Sequence, residues 1–77
     1  MTRHSLDARD LQCPLPVLKA RKLIANLPAG AVLEVQATDP ASPIDFKAFC
    51  ASTGHRFVSE REEDGVYTFE IETVAGA

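Results

Sequence analysis

Cys13 opens the sequence Cys13-Pro14-Leu15-Pro16, directly before a pattern of apolar residues that is typical of a helix. The first turn of a helix presents unpaired backbone N–H groups at the positive end of the helix dipole, and this favours a thiolate over a thiol. We therefore expect the pKa of Cys13 to be lowered and its sulfur to act as a nucleophile.

The two prolines predict the geometry of the helix start. Pro14 suits the first helical position and favours an extended backbone at Cys13, which would make Cys13 the N-cap residue. Pro16 has no N–H, so the amide of Leu15 is the main donor left for the sulfur. The alternative is a small buried cysteine at a strand-to-helix junction.

Two apolar residues of this helix, Leu15 and Leu18, lie away from its core face and beside Lys19 and Lys22. We expect both leucines to be partly exposed and to form, with the two lysines, a docking patch for a partner protein. Single exposed leucines without a function are also common.

We expect structural roles for the other candidate residues, Cys50 and the two histidines. Cys50 shares a helical face with Phe46 and Phe49 and is expected to pack in the core. His55 is expected at the surface, and His4 near a frayed terminus. Neither histidine is tied to Cys13 by its sequence context, so acyl-transfer catalysis is not supported. The spacing of the two cysteines and two histidines does not favour a metal site.

The composition is that of an ordinary globular domain. The chain has 77 residues, of which 45% are hydrophobic and 25% charged, enough for one domain over residues 1–77 with a small core. No apolar stretch approaches the roughly 18 residues of a membrane helix, and the first residues lack the apolar core of a signal peptide. We therefore expect a cytoplasmic protein that does not associate with membranes.

Charge and cysteine content restrict the partners further. A net charge of −3 argues against direct binding of nucleic acid. Basic residues are concentrated in the first third of the chain, which contains Cys13, and acidic residues towards the end. Two cysteines are few for a small domain that depends on disulfides, so both are expected to be free thiols.

The periodicity predicts alternating strands and helices in the order β-α-β-α-β-β. Strands are expected at 6–8, 31–38, 55–62 and 66–74. A first helix is expected at 14–27, and a second helix is expected to be capped by Asp39 or Ser42 and to end at Gly54. An Asp64-Gly65 step suits a tight hairpin between the last two strands. This order favours a two-layer α/β sandwich, with two helices on one face of a mixed four-stranded sheet.

The segment 6–16, LDARDLQCPLP, resembles the signature of the TusA/SirA-like sulfur carriers, in which a Leu-Asp pair precedes a Cys-Pro-x-Pro motif. The resemblance continues over nearly the whole chain, in Pro28-x-Gly30, Asp39-Pro40, Phe49-Cys50 and Gly54-His55. It implies a sandwich like the C-terminal domain of translation initiation factor 3, in agreement with the predicted element order.

The resemblance also implies a role for Cys13. The motif cysteine of this family accepts sulfane sulfur from a cysteine desulfurase or rhodanese-like donor, holds it as a persulfide and passes it to an acceptor protein. Pro14 and Pro16 match as motif-shaping residues, and Asp7 as a structural neighbour. Family members serve tRNA thiolation, molybdenum-cofactor synthesis or sulfur oxidation. We expect a monomeric sulfurtransferase-like carrier, rather than a stand-alone catalyst, that needs no cofactor.

Two positions depart from the family pattern. Asp10 stands where many members have glycine; aspartate tolerates a left-handed backbone, but its carboxylate would oppose the helix dipole near the thiol. Leu15 stands where some tRNA-thiolation carriers have glutamate, which makes the docking patch more apolar.

Two alternatives belong to other functional classes. In a thiol redox switch, oxidation or capping of Cys13 would control binding to a regulator. In a regulatory protein-interaction module, the surface around Leu15 and Leu18 would be the working part and the thiol incidental.

Overall fold

The computed structural model describes residues 3–75 and contains the predicted order of strands and helices. The elements are β1 (Arg3–Ala8), α1 (Leu15–Ile24), β2 (Val32–Ala37), α2 (Ser42–Thr53), β3 (Arg56–Glu63) and β4 (Val66–Glu72). The prediction of a β-α-β-α-β-β chain is confirmed.

The four strands form one mixed sheet in the order β1-β2-β4-β3. β1 and β2 are parallel, with Ala8 opposite Ala37, whereas β4 is antiparallel to both β2 and β3. Because β1 and β2 are parallel, the loops that follow them leave the same edge of the sheet. Both helices therefore begin at that edge, and Cys13 lies in the first of these loops.

One face of the sheet packs against the helices, as the alternation of apolar residues predicts. Both helices and the inner faces of β1, β2 and β4 contribute to the core, formed by Ala8, Ala20, Ile24, Leu33, Val35, Ala37, Phe46, Phe49, Cys50, Phe69 and Ile71. The opposite face is polar and carries ion pairs, such as Arg56 with Glu72 at 2.9 Å and Arg3 with Glu34 and Glu70.

The predicted hairpin turn is confirmed. Glu63 and Val66 pair at the ends of β3 and β4, and both turn residues, Asp64 and Gly65, have positive φ values of 53° and 80°. Two positive φ angles in a two-residue turn match the right-handed twist of the flanking strands, and Asp-Gly adopts them at little energetic cost.

Several boundaries differ from the prediction. β1 is longer, since it begins at Arg3, so His4 lies within a strand rather than in a frayed end. α1 ends at Ile24, and Leu27 packs against the core from the following turn. Ser42 does not cap α2, because the helix already includes it and its buried hydroxyl has no hydrogen-bond partner in the described chain. Gly54 ends α2 in the left-handed conformation, as predicted.

Candidate functional site

The loop from β1 to α1 is held at its turn by Asp10. This residue has a φ of 66°, in the left-handed region, which aspartate tolerates better than most residues, as expected from the sequence. Its backbone N–H donates to Oγ1 of Thr38 at 2.9 Å, and the N–H of Leu11 donates to the carbonyl of Ala8 at 3.4 Å. These bonds connect the loop to the ends of β1 and β2.

The helix begins one residue later than predicted. Pro14 is the N-cap residue and Leu15 the first helical residue, so the predictions of Cys13 as N-cap and Pro14 as first helical residue are wrong. The N–H of Leu15 donates to the carbonyl of Gln12 at 2.8 Å instead of to the sulfur. A backbone turn over Gln12–Leu15 uses this donor and places Cys13 outside the helix.

The side chain of Cys13 is exposed, as predicted, but its environment is acidic. Its backbone N–H donates to Oδ2 of Asp39 at 3.0 Å. Hydrogen bonding to the Asp45 carboxylate raises the pKa of the thiol, and desolvation and the negative charges of Asp45 and Asp39 act in the same direction. The predicted lowering of this pKa is therefore wrong, because the thiol lies near two carboxylates and outside the helix whose first turn was expected to stabilise a thiolate.

The basic residues near Cys13 in sequence do not offset this acidity. Arg9 pairs with Asp7 at 2.9 Å, and Arg3 pairs with glutamates on the polar face of the sheet. Lys19 lies on α1 and is exposed, but its charge is not among the causes of the thiol's pKa shift. Asp10 is not among them either, so the predicted effect of its carboxylate is not found.

The docking patch predicted from the sequence is exposed. Leu15 and Leu18 are 46% and 49% exposed, and Lys19 and Lys22 beside them are also at the surface. Ile44, which precedes Asp45 in the first turn of α2, is a further exposed apolar residue, with 74% of its surface accessible. On a helical wheel Ile44 lies opposite the face of Phe46, Phe49 and Cys50, so its exposure could have been predicted from the sequence.

The residues predicted to shape the motif, Pro14, Pro16 and Asp7, differ in burial and in position. The ring of Pro16 is fully buried at the second helical position, whereas Pro14 is exposed. Asp7 lies on the polar face of β1 and accepts hydrogen bonds from the guanidinium and the backbone N–H of Arg9. These contacts lower the pKa of Asp7 to about 2 and fix the first residue after the strand.

The second cysteine is a core residue. Cys50 is 5% exposed, and burial raises the pKa of its thiol to about 11. The prediction of a packing role is confirmed. A thiol with a raised pKa and little access to solvent is a poor partner for dithiol exchange with Cys13.

The histidines are more buried than predicted. His55 is 8% exposed, its Nδ1 accepts a hydrogen bond from the N–H of Val74 at 3.2 Å, and its ring lies 5.9 Å from that of Phe49. The prediction of a surface residue is wrong because, in the loop between α2 and β3, this side chain packs against Phe49 and Val74. His55 lines a cleft with Arg21 and Thr53 that contains neither cysteine.

Within residues 3–75, no group of three or more His, Cys, Asp or Glu residues is placed to hold a metal ion. No helix in this part of the chain is long and apolar enough to span a bilayer.

Comparison with known proteins places the chain in a family. Residues 4–73 match the model of the family described as sulfurtransferase TusA. The sulfur carrier protein TusA of Allochromatium vinosum is 46% identical over 68 residues, which cover 88% of this chain and 90% of that protein. The protein of the same name from Pseudomonas entomophila is 43% identical over 67 residues, 87% of this chain and 84% of that one.

A solved structure has the same fold. The crystal structure of a SirA-like protein from Desulfitobacterium hafniense superposes with a TM-score of 0.82 at 29% identity, over 92% of this chain and 97% of the other. A family match over nearly the full chain, relatives above 40% identity and a shared fold agree with the resemblance seen in the Cys-Pro-x-Pro segment. The chain belongs to the TusA family.

Proposed function

We propose that this protein is a sulfur carrier that accepts sulfane sulfur on Cys13 as a persulfide and transfers it to an acceptor protein. One observation carries the proposal: the exposed cysteine lies in the Cys-Pro-x-Pro segment, whereas the other cysteine is buried. The relatives from A. vinosum and P. entomophila are named sulfur carriers, which supports the same role here. On this proposal residues 1–77 act as one carrier domain in the cytoplasm.

The chemistry is an exchange between sulfur atoms. The Cys13 sulfur forms a bond with the outer sulfur of a donor persulfide, the S–S bond of the donor breaks, and the proton lost by Cys13 ends on the donor thiol. Transfer to an acceptor is the same kind of exchange: the acceptor cysteine attacks the outer sulfur on Cys13, the S–S bond breaks, and Cys13 returns to the thiol. No electron acceptor is needed, and one accessible thiol is sufficient.

Pro14, Pro16 and Asp7 are proposed to shape the loop that presents the sulfur. The buried ring of Pro16 anchors the first turn of α1 in the core, and the bonds of Asp7 to Arg9 fix the opposite end of the loop. Cys13 is then held at the surface between two anchored segments.

The docking patch is proposed to bind the donor and the acceptor. Its leucines give an apolar centre, and Lys19 and Lys22 give a positive rim that suits an acidic partner surface. The proposed partners are proteins: a cysteine desulfurase or rhodanese-like donor, and an acceptor in tRNA thiolation, molybdenum-cofactor synthesis or sulfur oxidation. We propose that the carrier meets them as a monomer.

Intact-mass measurement tests the carrier role. The protein is incubated with a cysteine desulfurase and cysteine, or with a rhodanese and thiosulfate. We expect the gain of one sulfur atom in the wild type and in Cys50→Ser, but not in Cys13→Ser. If no donor adds sulfur to the wild type, the proposal is wrong. A thiol redox switch predicts instead that peroxide or glutathione modifies Cys13 and that no specific donor enzyme loads it with sulfur.

A further inference from the structure

Asp39 joins the Cys13 loop to the start of α2. Its Oδ2 accepts the backbone N–H of Cys13 at 3.0 Å, and its Oδ1 accepts the backbone N–H of Ala41 at 2.8 Å. The carbonyl of Asp39 accepts the N–H of Ser42 at 3.0 Å. Asp39 is thus fixed against α2 by two bonds and holds the backbone of Cys13 by a third.

This arrangement places the thiol beside a second carboxylate. Asp45 lies in the first turn of α2, and hydrogen bonding to it is the largest cause of the raised pKa of Cys13. Neither Asp39 nor Asp45 has an ion-pair partner within residues 3–75, so their charges are not neutralised by the fold. Asp10 and Lys19, the first charged residues before and after Cys13 in the chain, are not among the causes of the shift.

We propose that Asp39 is a positioning residue for Cys13: it ties the backbone of the cysteine to the start of α2 and thereby keeps the sulfur on the side of Asp45, in the first turn of that helix. This inference rests on the proposed carrier function and adds a control of its empty state. A protonated thiol is a weak nucleophile. The placement of the sulfur relative to the Asp45 carboxylate is therefore expected to govern how fast the empty carrier reacts with small electrophiles.

The pH dependence of alkylation by iodoacetamide tests this inference without any donor. All variants are made in a Cys50→Ser background, so that Cys13 is the one cysteine that reacts. We expect Asp45→Asn to shift the midpoint of the rate profile to lower pH and to raise the rate at pH 7 several-fold. Asp10→Asn is the matched control, because it removes a nearby charge and keeps a residue that tolerates positive φ. Its profile should equal that of the parent.

The positioning role is tested by combining variants. If Asp39 holds the sulfur beside Asp45, the shift caused by Asp45→Asn should be much smaller in an Asp39→Ala background. The same shift in both backgrounds would show that Asp39 does not position Cys13. No shift from Asp45→Asn in either background would overturn the whole inference.

The test of the positioning role can still be made if Asp39→Ala does not fold. If circular dichroism shows that Asp39→Ala is unfolded, Asp39→Asn replaces it, since its amide oxygen can keep one of the two backbone bonds. The Asp45→Asn shift should then fall to part of its parental size, and an unchanged shift counts against the positioning role. Failure of every donor to load Cys13 would refute the carrier function but would leave these alkylation profiles unaffected.

Discussion

The backbone N–H of Cys13 donates to the carboxylate of Asp39 at 3.0 Å, although the two residues are 26 positions apart in the chain. The parallel pairing of β1 and β2 brings them together, because each residue lies in the loop that follows one of these strands. The environment of the thiol is therefore set largely by the segment that begins α2, and this segment supplies acidic groups rather than the basic residues near Cys13 in sequence.

The docking patch makes a prediction about sulfur transfer. Replacing Leu15 and Leu18 together by serine removes the apolar centre of the patch, where a truncation that matters for binding costs on the order of 1 kcal/mol, or about fivefold in affinity. We expect slower sulfur transfer from a loaded donor at sub-saturating carrier concentration, and an unchanged rate of alkylation at Cys13. Ile44→Ser should also slow transfer, since Ile44 is exposed at the start of α2.

Val58→Ser is the matched control for this prediction. Val58 is 50% exposed, close to the 49% of Leu18, but it lies on β3 rather than on the helix that follows Cys13. Transfer should be unaffected in this variant. Equal transfer rates in the leucine variants and the wild type would remove the docking proposal.

Core packing predicts a large loss of stability for Phe46→Ala. Phe46 is fully buried, and its ring lies 5.0 Å from that of Phe69. Truncating a buried phenylalanine typically costs about 3–5 kcal/mol through lost burial and a residual cavity. Urea unfolding followed by circular dichroism measures the difference. The control is Lys47→Ala, at an exposed neighbouring position, which should shift the free energy of unfolding by less than about 1 kcal/mol. Ala48→Gly would not serve as the control, because glycine lowers helix propensity.

The left-handed backbone at Asp10 predicts which substitutions the loop accepts. With φ at 66°, Asp10→Val should lower the free energy of unfolding by about 1 kcal/mol or more, because β-branched residues are strained there. Asp10→Gly should be nearly neutral. Equal stability of the valine and glycine variants in urea unfolding would mean that this turn is not constrained as described.

The Asp7–Arg9 pair predicts a pH dependence of stability. Side-chain and backbone hydrogen bonds from Arg9 lower the pKa of Asp7 from 3.8 to about 2. Because the folded-state pKa is the lower one, the stabilisation is present above pH 3.8 and is lost as the pH falls through about 2. Asp7→Asn should flatten the decline of the urea midpoint within this window, whereas Asp64→Asn, in the hairpin turn, should retain it. Identical profiles for Asp7→Asn and the wild type would contradict the assignment.

Sequence patterns predicted the fold well because its determinants are local. The alternation in β2, the apolar face of α2 and the Asp64-Gly65 turn each follow from neighbouring residues and reappear in the structure. The helix end at Ile24 was missed because Leu27 has the correct spacing for the core face but packs from the following turn.

The candidate site was predictable only in part. The exposure of Cys13 and the burial of Cys50 followed from the motif and from helical spacing. The direction of the Cys13 pKa shift did not follow from the sequence, because it depends on Asp39 and Asp45, which only the strand pairing brings to the thiol. The burial of His55 depends in the same way on its contact with Val74 from the far end of the chain.

Peptide mapping of the loaded protein tests the central claim most directly. Trypsin separates the two cysteines, since cleavage after Arg9 and Lys19 isolates Cys13 and cleavage after Lys47 and Arg56 isolates Cys50. After incubation with a cysteine desulfurase and cysteine and trapping with iodoacetamide, we predict one additional sulfur atom on peptide 10–19 and none on peptide 48–56, with loss of the added sulfur on addition of an acceptor protein. Sulfur on peptide 48–56, or none on peptide 10–19 with either a desulfurase or a rhodanese donor, would contradict the assignment of Cys13 as the sulfur carrier.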